Sequence, residues 1–83
     1  MGALDEIQEL LDSLLQDTSL SKNVRILIEE IKEELRDSKN LALKINSALQ
    51  KVEDLSIDPN LSQYARTQIW NLTTLLENAQ SEL

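Results

Sequence analysis

The 83-residue sequence predicts an all-α domain, an antiparallel four-helix bundle built from two repeated helical hairpins. Three observations carry this. Apolar residues recur at alternating three- and four-residue spacing, which lines side chains along one stripe of a helix. One glycine and one proline leave the helices few interruptions. The chain also matches itself when shifted by 41 positions, pairing Asp17, Leu20, Ser21, Arg25, Ile28 and Leu35 with Asp58, Leu61, Ser62, Arg66, Ile69 and Leu76. Six identities over residues 17–35 exceed the one or two that ordinary residue usage supplies.

Each element follows from its stripe and its punctuation. Helix one is expected from about Leu4 to Gln16, with Leu4, Ile7, Leu11 and Leu14 inward, and it ends at Asp17-Thr18-Ser19. Helix two opens near Ser21, whose hydroxyl can cap the first-turn amides, and buries Val24, Ile28, Ile31 and Leu35. It closes around Asp37-Ser38, and Ser38 or Asn40 is the expected cap of helix three. Helix three carries Ile45, Ala48, Val52 and Leu55 and stops before Asp58-Pro59, because proline disfavours helical geometry in the preceding residue. Helix four starts near Ser62, buries Ala65, Ile69, Leu72 and Leu76, and extends the series through Ala79 to Leu83. Short loops make successive helices antiparallel neighbours. The whole chain, 1–83, is one domain, with hairpins at about 3–37 and 40–82.

The D-x-x-L-S-x-x-[VA]-R turns resemble those entering the second helix of HEAT-type pairs. A two-repeat HEAT-like solenoid fragment is therefore the alternative architecture. Such repeats need about three copies to bury a continuous core, so two hairpins are expected to close on each other instead.

The segment Asp58-Pro-Asn-Leu-Ser-Gln-Tyr-Ala-Arg-Thr-Gln-Ile-Trp-Asn71, with its echo Asp17-Thr-Ser-Leu-Ser-Lys-Asn-Val-Arg25, resembles the signature of a small archaeal family, uncharacterised protein family 0147. The resemblance covers essentially the whole chain, and Ala65 to Asn71 is its most specific part. Serine stands at 21 and 62 where the family pattern has proline, and either residue suits a helix start. The resemblance implies a four-helical archaeal cytoplasmic protein and adds no activity.

Composition narrows the function. The net charge is −7, with ten acids and five bases in residues 1–40 and five acids and three bases in 41–83. Nucleic acid and anionic membrane are therefore disfavoured partners. No apolar run is long enough to span a bilayer, and no secretory leader is read at the start, so a cytoplasmic location is expected. Without histidine or cysteine there is no Ser-His-Asp or Cys-His system and no zinc site built on those ligands. Phosphate- and dinucleotide-binding glycine loops are also absent. The expectation is a non-enzyme without catalytic residues, cofactor or metal. Asp58-Pro59-Asn60 fails as a calcium loop because Gln63 and Ile69 occupy the places where glycine and glutamate are required.

Three groups of residues remain. Glu29, Glu30, Glu33, Glu34 and Asp37 could bind a hard cation, but they lie outside the stripe with Lys32 and Arg36 interleaved, so a solvated face is the preferred reading. Asp17 with Arg25, and Asp58 with Arg66, are expected to form a structural turn clamp, each guanidinium bonding turn oxygens while the acid caps nearby amides. Trp70 has two readings. In the preferred one it packs against another helix inside the bundle; in the other it is an interface hot spot sharing a candidate surface with Tyr64, Thr67 and Thr74. The leading function is thus a small acidic protein–protein interaction module or assembly subunit, with a protein partner or self-association as a homo-oligomer. A small-ligand or divalent-metal binder is the alternative.

Overall fold

The computed structural model describes residues 2–37 and 39–83, and in it four helices follow one another: α1 (Ala3–Leu15), α2 (Lys22–Glu34), α3 (Leu41–Ser56) and α4 (Gln63–Ser81). No strand occurs among the described residues. The longest helix, α4, has 19 residues and spans most of the 33 Å long axis at about 1.5 Å per residue.

The order of packing distinguishes a bundle from a solenoid. Helix α1 lies against α2 and α4, and α3 lies against α4 and α2. Among the described residues the diagonal pairs α1–α3 and α2–α4 do not pack. A solenoid would stack those pairs, first helix on first and second on second. The observed ring is a closed four-helix bundle. Its antiparallel sense at the α1–α4 seam shows in a bond between Ser13, at the end of α1, and Tyr64, at the start of α4.

The stripes meet inside this ring. Ile7, Leu11 and Leu14 of α1 are buried, as are Val24, Ile28, Ile31 and Leu35 along the other arm of the first hairpin. Ile45, Ala48, Val52 and Leu55 of α3, with Ala65, Ile69, Leu72, Leu76 and Ala79 of α4, complete the core. Among the described residues no polar or charged side chain is buried. Each full-sized aliphatic side chain placed there stabilises the fold by about 1.5–3 kcal/mol. Leu4 is only partly buried against this core. Leu83, expected to extend the last stripe, is 64% exposed because α4 ends at Ser81.

The helix starts obey local chemistry at two places and depart from it at a third. Ser21 and Ser62 take extended backbone angles, and their hydroxyls accept the Val24 and Ala65 amides at 3.2 and 3.1 Å. Asn40 holds the cap position of α3, but its side chain makes no capping bond. It sits in the left-handed region at φ 54°, which asparagine tolerates better than most residues. Ser38, the other expected cap, lies outside the described residues. Helix α2 ends at Glu34, short of the expected Asp37.

Candidate interaction surface

At one end of the bundle the α1–α2 and α3–α4 turns make matching bonds 41 residues apart. Asp17 Oδ1 accepts the Ser19 amide at 2.9 Å, and Asp58 Oδ1 accepts the Asn60 amide at 2.8 Å. Arg25 donates to the carbonyls of Leu15 at 2.7 Å and Asp17 at 2.9 Å. Arg66 donates to the Asp58 carbonyl at 3.3 Å. Neither arginine pairs with its aspartate's carboxylate; both bind main-chain oxygens of the turn. The turns also bond to each other: Ser62 Oγ donates to Asp17 at 3.3 Å and Ser21 Oγ to Asp58 at 3.5 Å. Hydrogen bonds from the Ser19 hydroxyl and amide, with a further bond from Ser62, hold the Asp17 carboxyl below the ordinary aspartate range.

Trp70 does not pack in the core; its side lies open to solvent at 76% exposure. One residue turns a helix by about 100°, so a position one after Ile69 and two before Leu72 points away from the buried stripe. The candidate surface divides accordingly. Thr67, Trp70 and Thr74 are exposed on the outer side of α4, and each threonine hydroxyl bonds the carbonyl four residues earlier. Tyr64 turns instead toward α1, sharing a 2.9 Å hydrogen bond with Ser13 and accepting one from Gln68 at 3.2 Å. These bonds lower its phenol pKa from the ordinary value.

One further residue lies beside Trp70. Leu61 lines a cleft of about 170 Å³ together with Ser56, Arg66, Ile69, Trp70 and Thr73. Ile57, which follows Ser56, is 78% exposed. Its place two after Leu55, off the stripe, is the signal that marks it as a surface residue. Ser56 and Thr73 also line a larger groove of about 510 Å³ between α3 and α4, so the two depressions adjoin.

The acidic cluster is dispersed by its partners. Lys32 reaches across to Asp12 on α1, Arg36 pairs with Glu33 at 3.3 Å, and Lys44 pairs with Asp37 at 2.6 Å. Glu34 is not on the outer side. It is half-buried at the α2–α3 seam, bonded to Lys51 at 2.7 Å and Ser47 at 2.8 Å. The Lys44 ammonium and the Lys39 amide lower the Asp37 pKa. Among the described residues no group of three or more acidic side chains converges closely enough to hold a metal ion. No described helix is long and apolar enough to cross a membrane.

Comparison with known proteins finds relatives of this sequence. A family model described as "Uncharacterised protein family (UPF0147)" matches residues 2–79. A UPF0147 protein of Archaeoglobus fulgidus is 43% identical over 79 residues, covering 95% of this chain and 91% of the relative. One from Methanosarcina acetivorans is 41% identical, covering 83% and 72%, and one from Methanocaldococcus jannaschii is 31% identical, covering 86% and 77%. No solved structure matches the chain.

Proposed function

The chain belongs to the uncharacterised protein family UPF0147, whose description states no activity, and from that premise we propose that it is a protein–protein interaction module binding through the outer surface of α4. The observation that supports this reading is Trp70, the sole tryptophan, standing 76% exposed on a two-helix surface with Leu61 beside it in one cleft. A single exposed apolar residue needs no explanation, but tryptophan is among the residues enriched at interface centres. Covering an indole removes on the order of 150–250 Å² from water, several kcal/mol of gross driving force. The module is read as cytoplasmic and non-catalytic, on the composition described above.

Capture of partners by the tagged chain from lysate of its source organism tests the reading, with Trp70→Glu run alongside. Since Trp70 supports no core packing, the variant is expected to keep its helical circular dichroism and its melting temperature. At least one protein, or a second copy of the chain, is expected to be retained by the wild type and lost by the variant. Identical retained proteins and identical association states for the two would refute the proposal.

A further inference from the structure

The line of clefts between α3 and α4 carries one cation, Arg66, at its Trp70 end and two carboxylates, Glu53 and Glu77, farther along. From Arg66 to Glu77 it follows α4 for about three turns, roughly 16 Å. Its apolar lining is Leu61 and Ile69 at the Trp70 end and Leu49 and Val52 farther along, set among polar side chains such as Asn46 and Gln50. Glu53 of α3 and Glu77 of α4 both line the far part. Both are exposed, and among the described residues their carboxylates have no ion pair or hydrogen bond. Asp12, Glu33, Glu34 and Asp37 are each matched by a lysine or arginine, whereas Glu53 and Glu77, like Glu29 and Glu30 on α2, are not.

The geometry points to a partner of defined chemistry: a basic amphipathic helix lying along the α3–α4 groove. This rests on the reading of α4 as an interaction surface and specifies its occupant. Trp70 and Glu77 are seven residues apart, two turns on the same side of α4 and about 10 Å along its axis. A helix laid beside α4 therefore meets Trp70 with an apolar residue and Glu77 with a lysine or arginine about seven positions away. Interface charges of this kind select partner and orientation more than they add affinity. A second copy of the chain fits less well, because two bodies each carrying −7 would repel and their equivalent grooves would oppose carboxylate to carboxylate.

Trp70 supplies the readout, since its emission is the only indole signal. A synthetic leucine–lysine amphipathic helix of about five turns, and its leucine–glutamate counterpart, would be titrated into the full chain. The basic peptide is expected to shift Trp70 emission to the blue, and the acidic one to leave it unchanged. Glu53→Gln with Glu77→Gln should weaken the basic peptide about three- to tenfold, from the worth of two exposed ion pairs. Glu29→Gln with Glu30→Gln, an equal change of charge on α2, should leave affinity within about twofold. Equal weakening by both pairs, equal binding of both peptides, or no shift with either would overturn the basic-helix groove. In any of those cases a protein captured from lysate by the wild type and lost by Trp70→Glu would still uphold the module. Absence of that dependence would remove both.

Discussion

Arg25 and Arg66 occupy equivalent positions in the two turns, yet their bonds differ enough to predict unequal consequences. Arg25 is half-buried and bridges two carbonyls at 2.7 and 2.9 Å, tying the end of α1 to the start of α2. Arg66 is exposed and makes one long bond of 3.3 Å. A hydrogen bond from a charged donor contributes about 1.5–3 kcal/mol when desolvated, and partial exposure at Arg25 brings two such bonds to about 2 kcal/mol in all. A lone, long bond at the surface falls within the roughly 0.5 kcal/mol of an ordinary surface substitution. For a domain of this size 1 kcal/mol moves the melting temperature by about 4–8 °C. Arg25→Gln is thus expected to melt roughly 8–16 °C below the wild type, and Arg66→Gln no more than about 4 °C below. Circular dichroism is the suitable assay, because exposed Trp70 reports poorly on core packing. Arg25→Lys adds a control: it keeps the charge but loses the planar fork that reaches two carbonyls at once, so it should recover less than half the loss. Equal shifts for Arg25→Gln and Arg66→Gln, or a wild-type melt for Arg25→Lys, would refute the carbonyl-bridging argument.

The Asp17 carboxyl, held low by Ser19, takes up its proton in the unfolded chain before it does so in the folded one. Its contribution is therefore complete above the ordinary aspartate value of about 3.9 and is lost as pH falls through the lower folded value. Asp17→Asn should flatten the stability profile below about pH 4 when melts are recorded across the acid range, and an unchanged acid limb would count against these bonds. In the core, Leu11→Ala removes a fully buried side chain at 0% exposure and should cost about 2.7–5 kcal/mol. That is a large fraction of the whole stability of a small domain, so denaturant titration should find the variant substantially unfolded; a loss under 1 kcal/mol would mean that the site collapses around the smaller residue.

The spacing of apolar residues by itself determined which residues are inside. Every side chain in the buried core lies on one of the four three-and-four stripes, because a helix turning about 100° per residue leaves only one such line facing its neighbours. The same rule placed Trp70 opposite Ile69 and Leu72, and the expectation of a buried indole arose from residue type overriding position. Turn chemistry was equally local: Ser21 and Ser62 cap because serine's short hydroxyl reaches the third amide. The tertiary structure decided what no spacing along the chain encodes. It chose a ring over a stack, since two hairpins cover all four stripes only when α1 closes against α4. It set Asp17 against Ser62 and Asp58 against Ser21, brought Lys32 to Asp12 instead of a neighbour on its own helix, and drew Glu34 into the α2–α3 seam. Those pairings join residues far apart in sequence, and long flexible side chains take whichever partner the packed backbones bring within reach. The groove beside Trp70 arises in the same way, from Ser56 at the end of α3 and Leu61 in the turn meeting Ile69 and Thr73 on α4.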